Sequence, residues 1–231
     1  MKAFMKKMMI LATIFMVLVV SGCSKDSKEE TKEVEEVVEE VELVKNNRYV
    51  EPVRPSNVQK IAFNDLTQAV EQNKDRKPSQ EEAKQVAINF VYDFFTMKNK
   101  ESRNDIGGLQ FIPSDSIRKY MEFSQSYYYG NYATIVNEYG KKALPEVTNV
   151  EVVEETPASF TYNDTICDGY KFRINATYAD TKIGDENLKK EMVVSVMQIH
   201  DFDFSRDYDY KKRNLVFKGE MKKVYRVVAV E

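Results

Sequence analysis

The chain has 231 residues, of which 31% are charged, and a formal net charge of −3. From Lys45 onward the basic and acidic residues balance, with 28 of each, so the excess of acid lies in residues 24–44. A domain without a basic surplus has no electrostatic reason to bind nucleic acid or anionic lipid, and we expect no nucleic-acid partner.

Residues 1–22 show the three zones of an export signal. Lysines lie near the start, an apolar run spans Met8–Val20, and small residues end the segment. At about 1.5 Å per residue, a helix formed by this run covers roughly 20 Å, whereas the hydrocarbon of a bilayer is about 30 Å thick. The run therefore favours a signal peptide over a permanent transmembrane anchor.

The end of this signal reads Val20-Ser21-Gly22-Cys23 and resembles the lipobox of bacterial lipoproteins. In that motif an aliphatic residue and two small residues precede the cysteine that receives the lipid. The resemblance implies two or three acyl chains, such as palmitate, on Cys23. Each buried CH₂ of such a chain contributes about 0.8 kcal/mol, so we expect the protein to be lipid-anchored at the extracytoplasmic face of the cell membrane.

Residues 23–56 are predicted to form the lipidated start of the mature chain and an acidic tether. Valines of this segment recur on one helical face, at Val34, Val37, Val38, Val41 and Val44. This stripe is compatible with a short coiled coil or with docking on a partner. A largely disordered spacer is favoured instead, because β-branched valines are poor helix formers and clustered glutamates repel one another. Pro52 and Pro55 close the spacer, and residues 57–231 are predicted to form one domain.

Apolar residues at helical spacing predict several helices in the first part of this domain. In the second helix, Pro78-Ser79 followed by Glu82 indicates a capping box, and apolar residues then recur up to Phe95. The predicted helices are 58–70, 79–98, a short one capped by Ser114 through Met121, and 132–139.

After Leu144-Pro145 the period changes from helical to alternating, which predicts β-strands. The segments 192–199 and 224–230 are apolar on both faces and are expected to be central or curled. Helices followed by antiparallel strands predict an α+β fold, with N-terminal helices packed on a curved antiparallel sheet. The predicted strand segments are 148–152, 160–162, 170–178, 192–199 and 224–230.

Over residues 78–231, this order of elements resembles the nuclear-transport-factor-2-like family, a cone-shaped α+β fold. The capped aromatic helix, the short helices up to Tyr139 and the long strands from Val147 carry the resemblance. A cystatin-like sheet with one long helix, or a sandwich with a helical hairpin, fits the same pattern. Members of the cone family include enzymes with Asp, His, Tyr or Arg in a pocket and extracytoplasmic domains of secretion and conjugation assemblies.

Catalytic or metal-binding patterns are weak in this sequence. In a regular strand, the side chains of His200 and Asp201 point to opposite faces, so a dyad of these neighbours is not expected. The acidic series that begins there is read as a solvated hairpin rather than a calcium site, because basic residues are interspersed and no EF-hand glycine or glutamate is present. Cys167 is expected to be an inert thiol. No metal or cofactor is expected. The acidic series is Asp201, Asp203, Asp207 and Asp209.

A tyrosine-rich segment supplies the candidate binding residues, Tyr127, Tyr128, Tyr129 and Tyr132. Consecutive helical residues cannot all face inward, so some of these rings are expected to contact sugar or protein, although half-buried packing is the alternative. The leading hypothesis is a non-enzymatic module that binds an envelope protein or polymer. The alternatives are a small-molecule binding lipoprotein and a hydratase or isomerase of the cone family.

Overall fold

Residues 40–204 and 217–231 are described by the computed structural model of the chain. The predicted signal, Cys23, most of the tether, Asp207 and Asp209 lie outside these residues. None of the described helices combines the length and apolar content that crossing a membrane requires.

Four α-helices precede four long strands in the described part of the chain, which confirms the predicted α+β class and order of elements. The helices are α1 (Asn57–Gln72), α2 (Gln80–Phe95), α3 (Ile117–Ser126) and α4 (Tyr132–Tyr139). The strands are β1 (Val147–Tyr162), β2 (Thr165–Tyr178), β3 (Glu191–Phe204) and β4 (Phe217–Val230).

The strands form one curved antiparallel sheet in the order β1-β2-β3-β4. Shifts of register at Val152/Glu154 in β1 and at Asp201/Asp203 in β3 mark bulges, which bend strands and increase their twist. β3 is central, as expected from its two apolar faces, but β4 is an edge strand. Residues 224–227 of β4 are nevertheless buried on both faces, because Tyr225 reaches the start of α2 while Arg226 pairs with Asp201 of β3.

α2 packs across all four strands and supplies much of the core. Only one of the two hydrogen bonds of the predicted capping box is present. Ser79 Oγ accepts from the N–H of Glu82 at 3.2 Å, as expected, but the Ser79 N–H donates to Tyr225 Oη at 2.6 Å. The carboxylate of Glu82 binds Arg48 instead of closing the box.

Residues 40–56 lie against the domain, although the sequence placed them in the tether. Asn64 of α1 accepts from the N–H of Val44 at 2.8 Å, and its amide donates to the carbonyl of Glu42 at 2.8 Å. Tyr49 is buried in the core. All described residues belong to one compact unit, so the folded part of the chain begins before residue 57.

Gly169 marks the point where β2 and β3 separate. The β2–β3 register ends at the pair Gly169 and Met197, and the β1–β2 hairpin continues beyond it to a turn at Asn163-Asp164, both with positive φ. A Cβ atom at Gly169 would lie 2.1 Å from the carbonyl oxygen of Val196, a backbone atom that cannot rotate away. Glycine is therefore required at this contact.

Changing Gly169 to alanine is expected to lower the free energy of unfolding by about 1–3 kcal/mol, because the strands must shift to admit the methyl group. Urea denaturation measures this change. Gly130→Ala is the matched control, since a Cβ there meets only the carbonyl oxygen of Gln125 at 3.3 Å and φ is not positive. Equal stability of the two variants would show that the strands are not in close contact at Gly169.

Candidate functional site

The tyrosine-rich segment connects α3 to α4 through a short 3-10 turn, Tyr129–Asn131. Tyr129 is fully buried; its hydroxyl donates to the carbonyl of Phe94 at 2.7 Å and accepts from the N–H of Gly107 at 3.0 Å. Burial raises the pKa of this hydroxyl well above its ordinary value. Tyr129 thus fastens the turn to the end of α2 and does not face solvent.

Two more of the predicted binding tyrosines have the same role. Tyr132 is buried and donates to the carbonyl of Lys100 at 2.9 Å, and half-buried Tyr128 donates to the carbonyl of Phe95 at 2.9 Å. One of these carbonyls belongs to the last residue of α2 and the other lies in the loop that follows it, and each hydroxyl satisfies one of them. These rings are therefore packed against the domain, which is the alternative that the sequence also allowed.

Tyr127 differs from its neighbours because 69% of its surface is exposed. Its ring lies against that of Phe123, one helical turn earlier and 58% exposed, with 4.6 Å between the ring centroids and 31° between the ring planes. We call these two residues the aromatic pair. Sequence reasoning missed Phe123, although its spacing of four residues from Tyr127 is the signal that could have found it.

His200 and Asp201 lie on opposite faces of β3, as the alternation predicts. His200 is exposed, whereas the side chain of Asp201 is 4% exposed and pairs with Arg226 Nε at 2.9 Å. The same carboxylate accepts from the N–H of Ser114 at 3.1 Å. The prediction that Asp201 belongs to a solvated hairpin is wrong, because its bonds to Arg226 and Ser114 bury it between β4 and the entry to α3.

A pocket of about 390 Å³ opens where β2 and β3 separate, and His200, Cys167 and Lys223 are among its lining residues. Cys167 is half-buried, and its Sγ lies 3.8 Å from the carbonyl of Thr165, two residues earlier. His200 and Cys167 therefore line the same pocket. Among the contacts of the described residues, no hydrogen bond joins these two side chains.

A smaller pocket of about 180 Å³ lies between residues 50–53 and the loop 105–110. Its charged lining includes Asp93 and Lys100, which form an ion pair at 2.6 Å. Asp93 also accepts from the N–H of Gly108 at 2.8 Å, so it holds the loop in place.

Two buried carboxylates and one partly buried carboxylate of the described residues are bound to cations. Glu82 pairs with Arg48 at 2.6 Å, Asp201 with Arg226 and Asp93 with Lys100. A carboxylate that is bound to a cation in this way is poorly placed to accept a proton from a substrate. Among residues 40–204 and 217–231, no three His, Cys, Asp or Glu side chains are grouped as metal ligands.

Comparison with protein-family models, curated proteins and solved structures finds no match to the chain.

Proposed function

We propose that the protein is a membrane-anchored extracytoplasmic lipoprotein whose folded domain is a non-enzymatic binding module for an envelope protein or polymer. The lipid anchor is supported by the basic start, the apolar run and the lipobox-like sequence that ends at Cys23. For the domain we propose the cone-like fold, supported by N-terminal helices followed by a curved antiparallel sheet.

The aromatic pair is the observation that carries the binding proposal. Large aromatic side chains dominate the energetics of binding surfaces because they bury much apolar area and lose few rotamers. Phe123 and Tyr127 leave most of their surface in water, at an energetic cost that a partner would remove by covering them. Two rings already in contact also present one preformed surface.

The alternatives receive less support from the packing. The face of the sheet that could enclose a ligand is filled by α2, with Phe90 1% and Phe94 7% exposed. The two pockets described above lie at the margin of this core, and the interior carboxylates are bound to cations. A small-molecule site would require an enclosed cavity at the centre of the fold. An isomerase site would also require an unpaired acid in that cavity.

Crosslinking and affinity capture from intact cells test this proposal. We expect the native protein to capture a defined envelope component, and the double variant Phe123→Ser/Tyr127→Ser to capture it at least about tenfold less, because hot-spot residues contribute about 2 kcal/mol or more each. Both positions are exposed, so the stability of the domain should change little.

Tyr139→Ser is the matched control, since Tyr139 is an exposed tyrosine of α4 outside the pair, 48% accessible. It should leave capture unchanged. Retention of the same component by the double variant would contradict the assignment of the aromatic pair. Failure of the native protein to capture any specific component would contradict the binding-module proposal itself.

A further inference from the structure

β2 and β3 both continue beyond the point where their pairing ends. The last paired residues are Gly169 and Met197, but β2 extends from there to Thr165 and β3 extends to Phe204. The pocket of about 390 Å³ lies between the two separated ends. We call this space, which is lined by residues 165–168 and 198–200, the window.

The backbone of Ile166 in β2 points into the window. Tyr162 and Thr165 flank a two-residue turn, and residues that flank such a turn exchange both of their backbone hydrogen bonds. Because successive residues of a strand direct their N–H and C=O groups to opposite sides, Ile166 points away from β1. The bond from the Ala176 N–H to the carbonyl of Lys190, next to β3, has the direction expected for the even-numbered residues of β2.

The backbone of His200 in β3 faces the window from the other side. Val193 exchanges its backbone hydrogen bonds with Glu231, at the end of β4, so the odd-numbered residues of β3 bond to β4. The even-numbered residues, including His200, therefore point toward β2. Ile166 and His200 lie beyond the paired part of β2 and β3, and the described residues supply no other hydrogen bond to their N–H or C=O groups.

Contacts within the domain close both ends of the window. At one end, Gly169 lies directly against the backbone of β3. At the other end, Tyr162 Oη donates to Asp115 at 2.6 Å, and the N–H of the adjacent Ser114 donates to Asp201 of β3 at 3.1 Å. The end of the β1–β2 hairpin is thus joined to β3 through the start of α3, and the two free edges are held in a preformed arrangement.

The groups that line the window indicate what it binds. Free N–H and C=O groups on two facing strand edges are matched by the main chain of an extended peptide, which can add to a sheet as a further strand. Lys223 of β4 also lines the window, and its exposed side chain takes part in none of the ion pairs of the described residues. An acidic side chain of the peptide would supply the missing partner of this ammonium group.

We propose that the window is a docking site for an extended acidic peptide segment of another protein, which adds as a short strand to the free edges of β2 and β3. The main chain of the peptide bonds to Ile166 and His200, and one of its carboxylates pairs with Lys223. This site depends neither on the lipid anchor nor on the aromatic pair, and it gives the domain a second mode of binding, through the main chain.

Titration of the full-length protein with defined peptides, followed by NMR of its backbone amides, tests the proposal. The probe is acetyl-Thr-Val-Glu-Val-Thr-amide, whose β-branched residues favour an extended chain. We expect the amide signals of Ile166 and His200 to shift, with a dissociation constant of about 1 mM or below, since a few backbone hydrogen bonds contribute roughly this affinity. The same peptide with methylated nitrogens at its three central residues loses its donors and should bind about tenfold more weakly or less.

Two substitutions in β4 test the preference for acid. With the native protein, replacing the glutamate of the probe by lysine should weaken binding about threefold, and Lys223→Glu should reverse this order. Lys222→Glu is the matched control, because Lys222 is also exposed but points to the opposite face of β4 and does not line the window. It should leave the order unchanged.

Ile166→Pro tests the free edge of β2. It removes one N–H that faces the window and leaves the hydrogen bonds to β1 in place, so it should weaken binding of the probe about threefold or more. Ile166→Ala keeps the N–H and shortens a side chain that is 77% exposed, and it should bind as the native protein does. Unchanged amide signals of α2 report that both variants are folded.

Absence of shifts at Ile166 and His200, or equal affinity for the methylated peptide, would overturn strand addition at the window. Peptide-induced shifts confined to the aromatic pair would overturn it as well. Retention of the glutamate preference by Lys223→Glu would contradict the choice of an acidic segment. None of these variants changes the aromatic pair, so their failure leaves the capture experiment with that pair unaffected.

Discussion

Changing Cys23 to serine is expected to move the protein almost completely from the membrane fraction to the soluble fraction. A serine hydroxyl cannot take the place of the thiol as acceptor of a diacylglyceryl group. Two acyl chains hold a protein stably at a bilayer, since each buried CH₂ contributes about 0.8 kcal/mol. A single chain gives only marginal, reversible binding. Without any chain the proposed anchor is lost.

Cell fractionation together with metabolic labelling by a fatty acid measures this effect. Cys167→Ser is the matched control, because it removes the other cysteine of the chain and should leave both the label and the membrane association intact. A Cys23→Ser protein that still carries label and sediments with membranes would contradict lipid attachment at this residue.

Asp201→Ala is expected to give the largest loss of stability of the variants considered, about 3–5 kcal/mol. The change leaves Arg226, 2% exposed, as an uncompensated charge in the interior and removes the acceptor of the Ser114 N–H. Since domains are stable by only about 5–15 kcal/mol, a loss of this size removes a large share of the free energy of unfolding.

Chemical denaturation of the purified domain measures the Asp201 effect. His200→Ala is the control, because the side chain of His200, next to Asp201 in the sequence, is exposed. This substitution should change the free energy of unfolding by no more than about 0.5 kcal/mol. Similar stability of the two variants would mean that Asp201 is solvated, as the sequence first suggested, and that the Arg226 pair contributes nothing.

Local patterns account for what could be predicted from the sequence. α2 was recognisable because Ser79 caps its N-terminus and its apolar spacing continues to Phe95, where the helix ends. The strand alternation over residues 170–178 also corresponds to alternating burial in β2. In both cases the signal lies within one element, where helical or strand periodicity fixes which residues face the core.

Contacts between distant segments account for what could not be predicted. Arg48 and Glu82 are 34 residues apart, and nothing near Arg48 in the sequence shows that it docks on α2. The burial of Tyr129 depends on the carbonyl of Phe94, 35 residues earlier. Similarly, Asp201 follows an exposed histidine in an acidic stretch, and only the position of β4 reveals its partner.

Of the aromatic pair, Tyr127 was among the residues predicted from the sequence, whereas Phe123 was not. Tyr127 stood out through its position in a run of tyrosines, but the run concealed that its neighbours are packed and that its partner is Phe123, on the preceding turn. Enrichment of a residue type therefore pointed to the end of α3, but most of the residues that it singled out are packed. Only burial separates the one exposed ring of the run from the others.

Mass spectrometry of the N-terminal peptide of the mature protein, isolated from membranes, tests the central claim of a lipid-anchored module most directly. We expect the mature chain to begin at Cys23 and to carry a diacylglyceryl group on the sulfur, with residues 1–22 removed. A mature protein that retains Met1, or that begins at another residue with an unmodified Cys23, would contradict the lipid anchor and the extracytoplasmic role built on it.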